Sequence, residues 1–270
     1  MKSKIAAVPY IIWMIIFIIV PMFLIIIFSF TNESGSFTFE NIKRVTDYSG
    51  VFLRSIWLGA IATLICILIG YPLAFIISKL NIGSQNIVIM FIMLPMWMNF
   101  LLRTYSWMTI LENNGLINKF LSLLGLPQLN LINTQGAVVL GMVYNFLPYM
   151  ILPIYSVIAK IDSKIIEAAE DLGAGRRKVF SKIIFPLSIP GIISGVTMVF
   201  VPAVSTFIIS KMLGGGANLL IGDLIDMQFL GNSYNPHLGS AISLILMILI
   251  MICLGIMNQF DGEENGGIIV

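Results

Sequence analysis

Long apolar runs separated by short polar stretches dominate the chain, and their lengths predict membrane-spanning helices. The first run, Ile5 to Asn32, carries no charge. It is too long for the apolar region of a signal peptide and lacks a small-residue cleavage pattern near its end. The second, Ser55 to Ser78, would extend about 36 Å as a helix, enough for a ~30 Å hydrocarbon core with some tilt. A turn at Lys79–Ser84 leads to a third run ending at Leu102. The fourth, fifth and sixth cover Gly136–Ala159, Phe185–Ser210 and Gly239–Met257. The expected fold is all-α and integral to the membrane, with six transmembrane helices.

The polar connections are informative in their own right. Glu33–Arg54 is a polar segment with a turn-rich Asn-Glu-Ser-Gly-Ser, and Leu116–Leu124 is modestly amphipathic, as if lying on the outer surface. Lys211–Leu238 reads as an outer loop whose Asp223 and Asp226 are solvated acids. Lys160–Pro190 is the most charged connection. Within it Asp162 or Ser163 can cap a short helix and Gly173 can end it. Ile165, Ala168, Ala169 and Leu172 should share one face of that helix, and Lys164, Glu167 and Asp171 another. A second helix is expected from Gly175 to Phe185. Its first turn, Arg176-Arg177-Lys178, places cations where a helix dipole favours anions.

Composition agrees with the patterning. Of 270 residues, 58% are hydrophobic and 10% charged, well below the ~25% charged residues of soluble domains. A net charge of +2 is too small to suggest nucleic-acid binding. Lys and Arg fix the expected orientation. Positions 2, 4, 79, 160, 164, 176, 177, 178 and 182 fall in segments assigned to the cytoplasm, and 43, 44, 54, 103, 119 and 211 in outer ones. Both termini should therefore be cytoplasmic.

Candidate chemistry is sparse. The chain has no Gly-x-x-x-x-Gly-Lys-Ser/Thr phosphate-binding loop, so ATP hydrolysis by this chain alone is not expected. Cys66 and Cys253 lie in apolar runs without metal-ligand spacing, His237 is the single histidine, and no cofactor or metal is implied. Pro72, Pro95, Pro148, Pro153 and Pro202 interrupt the spans and can kink them. Gly191 and Gly195 form a small-residue pair suited to close helix packing. No charge is expected in the middle of a span, which weighs against proton-coupled carriers.

The charged connection carries a resemblance. Glu167-Ala168-Ala169, Gly173, Ile183 and Pro186 stand at the spacing of the EAA loop of ABC-importer permeases, with Phe185 where the family usually has Leu. The chain also resembles permeases of bacterial spermidine/putrescine importers over residues 10–255. The matching stretches include Gly-Tyr-Pro-Leu-Ala-Phe at 70–75, Leu-Pro-Tyr-Met-Ile-Leu-Pro-Ile-Tyr at 147–155 and Met-Leu-Gly-Gly-Gly-Ala-Asn-Leu-Leu-Ile-Gly at 212–222. The resemblance implies a MetI-like permease fold with a peripheral first helix (1–32), a five-helix core (55–257) and a tail (258–270). Glu167, Ala168, Ala169, Asp171, Gly173 and Ile183 within loop 160–185, with Pro186 just after it, would couple to an ATPase. The implied partners are a second homologous permease, an ATPase dimer, an extracytoplasmic polyamine-binding protein and membrane lipid. Trp97, Asn99, Tyr105, Trp107, Tyr144, Asn145 and Tyr149 near the outer ends of spans three and four are candidates to line a cation pathway through cation–π contacts. An interfacial aromatic belt suits Trp13 and Trp57. A permease for sulfate, phosphate or an amino acid would share the coupling loop, whereas a self-contained channel or carrier would call for charged residues within the spans, which the sequence does not show.

Overall fold

The computed structural model describes residues 8–231 and 233–265. Lys2, Lys4 and the last residues of the tail, 266–270, lie outside them. Five helices are long and apolar enough to cross a membrane, or six if one sharply bent pair counts as a span.

α1 is Val8–Ser29. A short helix, α2 (Glu40–Val45), follows the polar connection, and a 3₁₀ turn leads into α3, Ser49–Ser78. α3 thus starts six residues before the expected Ser55. Arg54 is inside it, and its Nη1 donates to the Ala217 carbonyl at 3.0 Å.

The third span departs most from expectation. Instead of one rod to Leu102 there is α4 (Ile82–Met93), a 3₁₀ turn through Trp97, and α5 (Phe100–Leu111). The segments before and after the break meet at 88°. Pro95 lies in the turn, and Asn99 caps the new helix by accepting the Leu101 N–H at 2.8 Å. At ~1.5 Å per residue α4 rises only about 18 Å, short of a full crossing. α6 (Leu116–Leu123) is the expected amphipathic segment.

α7 (Gln135–Ile158) matches the fourth run and stays one helix despite Pro148 and Pro153. After α8 (Ser163–Asp171), α9 runs unbroken from Arg176 to Ser205. The second loop helix and the fifth span are therefore one element, ending five residues before Ser210. Inside it Phe180–Ile184 is a π turn, closed by the Phe185 N–H on the Phe180 carbonyl. α1 repeats the device at Ile15–Ile19, which ends two residues before Pro21. In both, the wider turn sits where the proline ring would otherwise crowd the carbonyl four residues back. α10 (Ile208–Leu213), α11 (Ile221–Phe229) and α12 (Pro236–Asn265) complete the chain.

α3, α7 and α9 pack on one another to form the centre of the bundle. Gly191 and Gly195 permit it: a Cβ at Gly191 would stand 3.0 Å from the Pro153 carbonyl oxygen, and one at Gly195 2.7 Å from Met150 Sδ. A second core joins Val45, Val204, Ile221, Leu224 and the first turns of α12. α1 lies against α12, and its apolar window has no buried residue. Trp13 and Trp57 face outward.

Candidate coupling surface and translocation pathway

α8 is built locally at both ends. Asp162 accepts the Lys164 N–H at 3.0 Å. At the other end Gly173 adopts φ +81°, the Ala174 N–H reaches the Ala169 carbonyl at 3.0 Å, and the Gly173 N–H reaches that of Glu170 at 2.8 Å. This pair of bonds is the Schellman ending, which requires a left-handed residue at the glycine position. The apolar face divides differently from expectation. Ile166 and Ala169 pack against the core, whereas Ile165, Ala168 and Leu172, spaced i, i+3, i+7, are exposed. Leu172 is 89% exposed. Glu167 and Asp171 are exposed as well. The outer stripe is therefore flat at Ala168, apolar at its flanks and edged by carboxylates.

α8 is wired into the bundle through the base of α9. Ile183 lies in the π turn and Pro186 just after it. Around that turn, Phe180 stacks edge-on against Phe75 of α3 at 5.3 Å and against Tyr71 at 5.9 Å. Tyr71 also shares a 3.0 Å hydrogen bond with Ser188. On the α4 side the Tyr155 hydroxyl donates to Gln85 Oε1 at 2.7 Å, and Gln85 Nε2 donates to the Leu80 carbonyl at 2.8 Å. None of these long-range links was readable from spacing. The π turn itself had one signal, the residue pair ending in Pro186.

The seven aromatic and amide residues proposed for the pathway are not gathered on one surface. Trp107 and Tyr144 meet, their rings 5.3 Å apart and edge-to-face. Tyr144 also borders an apolar groove of about 670 Å³ between α3 and α7. Trp97 is exposed in the 3₁₀ turn, Asn99 serves as the cap of α5, and Tyr105 is exposed on the face opposite Trp107. Tyr149 is exposed further along α7. Asn145 is buried at 2% exposure. Its Nδ2 donates to the Gly141 carbonyl at 2.8 Å, and its Oδ1 has no partner among the described residues.

Two buried charges were misjudged from the sequence. Arg103, counted among outer loop cations, lies inside α5 on the face shared by Phe100, Thr104, Trp107 and Leu111. It is buried, with its guanidinium 5.8 Å from the Phe100 ring centre. The helical spacing after Asn99 was the available signal. Asp223, expected in solvent, is 3% exposed. Its Oδ2 accepts the Leu220 N–H at 2.8 Å, and its Oδ1 has no partner among the described residues. Burial pushes its carboxyl above the ordinary 3.8, against the smaller opposing pull of Ser210, the Leu220 N–H and Lys211. Asp226 pairs with Lys211 at 3.0 Å.

Comparison with known proteins agrees with this architecture. Residues 3–260 match the family model described as binding-protein-dependent transport system inner membrane component. The spermidine/putrescine transport system permease protein PotB of Haemophilus influenzae is 39% identical over 247 residues, covering 88% of this chain and 86% of the relative. Its Escherichia coli K12 counterpart is also 39% identical, with coverage of 88% and 90%. Among solved structures, a bacterial alginate ABC transporter in complex with an alginate pentasaccharide-bound periplasmic protein contains a chain of the same fold. It has a TM-score of 0.79 at 18% identity and covers 97% of this chain and 94% of that one. The helical bundle, the capped loop helix and the full-length match together make this chain a multi-pass membrane permease belonging to the binding-protein-dependent transport system inner-membrane component family, with the MetI-like fold.

Proposed function

We propose that this chain is a permease subunit of an ATP-binding-cassette importer for polyamines of the spermidine/putrescine class. The observation that carries the reading is the 39% identity, over 88% of this chain, to a spermidine/putrescine permease. The exposed Ile165–Ala168–Leu172 stripe supports a docking role for α8, since apolar side chains at a polar loop gain about 25 cal/mol per Å² when a partner covers them.

In this reading α8 enters a cleft on a separate ATPase dimer, and ATP is hydrolysed there. Glu167, Ala168 and Asp171 meet the ATPase, while Gly173 fixes where the helix stops. Displacement of α8 passes through Phe180 and the Tyr71–Ser188 bond to α3 and α9. Rigid-body movement against a second, homologous permease then opens the pathway to one side at a time. An extracytoplasmic polyamine-binding protein delivers the solute. Both termini, and α8, face the cytoplasm. Trp107 and Tyr144 offer π faces to an ammonium chain, an attraction of about 0.5–2 kcal/mol that holds a cation without trapping it. Trp97, Asn99, Tyr105, Asn145 and Tyr149 act at the mouth or through the helices they shape.

Uptake of labelled spermidine and putrescine by cells carrying the whole system, with Glu167 intact or changed to Arg, tests this. Loss of uptake at normal membrane abundance, together with loss of ATPase co-purification, is the expected result. Unchanged uptake by Glu167→Arg removes the coupling role. Absence of polyamine uptake by the unaltered system removes the solute.

A further inference from the structure

At the junction of three elements, behind the exposed stripe of α8, the chain holds a cavity of about 580 Å³. Lys79, the residue that caps the C-terminal end of α3, lines one side, and Arg176 and Arg177, the first residues of α9, line another. Glu170 of α8 is the one carboxylate on the wall, so the wall carries three positive charges and one negative. None of the three cations is in an ion pair among the described residues, where the pairs are Arg44–Glu40 and Lys211–Asp226. The N-terminal dipole of α9 adds further positive potential at the same place. This local excess of positive charge favours an anion at the mouth of the cavity.

The floor selects the kind of anion. Phe75, Phe180 and Ile184 form it. On the same two helices Ile76 of α3 and Phe185 and Leu187 of α9 are exposed apolar side chains. A soluble phosphate would meet the cations and leave this floor bare. An amphiphile fills both parts.

We propose that the cavity is a binding site for an anionic phospholipid of the adjoining leaflet. Its headgroup phosphate lies among Lys79, Arg176 and Arg177, and an acyl chain runs down over Phe75 and Ile184. Basic pockets between transmembrane helices on the cytoplasmic side are suited to such headgroups. The site rests on the membrane reading of α3 and α9 and is independent of the transported solute. Because Glu170 and Ile166 of α8 also line the cavity, an occupying lipid touches the element expected to meet the ATPase. It also explains cations at the start of α9, where local helix rules disfavour them.

The test uses the chain purified from its membrane with its accompanying subunits, and native mass spectrometry with added phosphatidylglycerol or phosphatidylcholine. Phosphatidylglycerol is expected to be retained and phosphatidylcholine lost. Each cation near an anionic headgroup contributes about fivefold in affinity, so Lys79→Gln with Arg177→Gln should weaken retention about 25-fold. Lys178→Gln, a change on the same helix but off the cavity wall, should leave it unaltered. Full retention by the double variant overturns the site, as does equal loss with Lys178→Gln. Displacement by millimolar inorganic phosphate reassigns it to a soluble anion. A phospholipid with a photoreactive headgroup, applied to the unaltered chain, should label peptides containing residues 75–79 and 176–184. Labelling confined to other peptides also overturns the proposal.

Discussion

Ser163–Asp171 and Ile221–Phe229 are both nine-residue helices, one joining α7 to α9 and the other lying between α9 and α12 at the opposite end of the bundle. α8 keeps its capping contacts local. Its caps come from Asp162 and Gly173, and it turns Ile165 and Leu172 to solvent. α11 does the reverse. It buries Ile221, Leu224 and a carboxylate, and its Ile221 N–H is satisfied by Ser55 Oγ at 2.8 Å, 166 residues away. A helix capped by its own neighbours can move as a unit and offer its surface to another chain. One whose backbone is satisfied by a distant helix is part of the scaffold. The difference separates a moving contact from a fixed one, and substitutions at the two ends should therefore fail in different assays.

The largest effect on transport is expected at α8. Gly173→Val places a β-branched residue at φ +81°, where a new Cβ meets nothing within 4 Å, so the cost is conformational alone. That cost is about 1–2 kcal/mol, and about 1.4 kcal/mol corresponds to tenfold in the capped population. Polyamine uptake should fall about tenfold, while the melting temperature of the purified chain stays close to the unaltered value. A parallel loss of thermal stability would mean that α8 belongs to the scaffold after all, and the contrast would collapse.

At α11 the converse holds. Ser55→Ala leaves the buried Ile221 N–H without its acceptor, at a cost of about 1–3 kcal/mol. Melting in detergent should shift down, with α11 the first element to lose amide protection in hydrogen exchange. Protein that does reach the membrane should retain ATPase co-purification.

The same contrast explains what the sequence disclosed. α7, α8 and α12 were legible because hydropathy runs, an Asp cap and a Gly stop are nearest-neighbour signals. The EAA spacing was legible for the same reason. Pro95 marked a kink, but a full 88° break through Asn99 was not legible, because an uncharged run to Leu102 looks like one span and the capping of α5 by Asn99 competes with that pattern locally. Asp223 and Arg103 were misplaced for a different reason. Their burial depends on helices that come together only in the fold, and a lone acid or base between apolar runs is read as loop by default. Of the pathway candidates, the structure brings Trp107 and Tyr144 together, a contact the sequence did not indicate, since aromatic identity says nothing about which side of a bent helix a ring occupies.

Asp223 gives a subtler test. Its carboxyl ionises above the ordinary 3.8 because it is buried. A raised folded value means that its contribution to stability is present in full below 3.8 and is lost as pH rises through the folded value. Asp223→Asn retains an acceptor for the Leu220 N–H without the buried charge. The variant should melt a few degrees higher than the unaltered chain at neutral pH, and the two should converge in acid. A variant that melts lower at every pH would show that the ionised carboxylate is itself required, which would make this end more than a scaffold.

The smallest effect is expected at Lys211. Its ammonium meets Asp226 at 3.0 Å with the lysine side chain 67% exposed, so solvent screens the pair and Lys211→Gln should cost less than about 0.5 kcal/mol. The informative consequence lies elsewhere. Lys211 also favours ionisation of Asp223, while Asp226 opposes it. Removing the lysine should raise the Asp223 carboxyl further and move the pH-dependent loss of stability to higher pH. In a chain already carrying Asp223→Asn, the same lysine change should leave the shape of the pH profile unaltered. A pH shift that persists in the double variant would assign the titration to another group and detach Asp223 from the electrostatics of its end of the bundle.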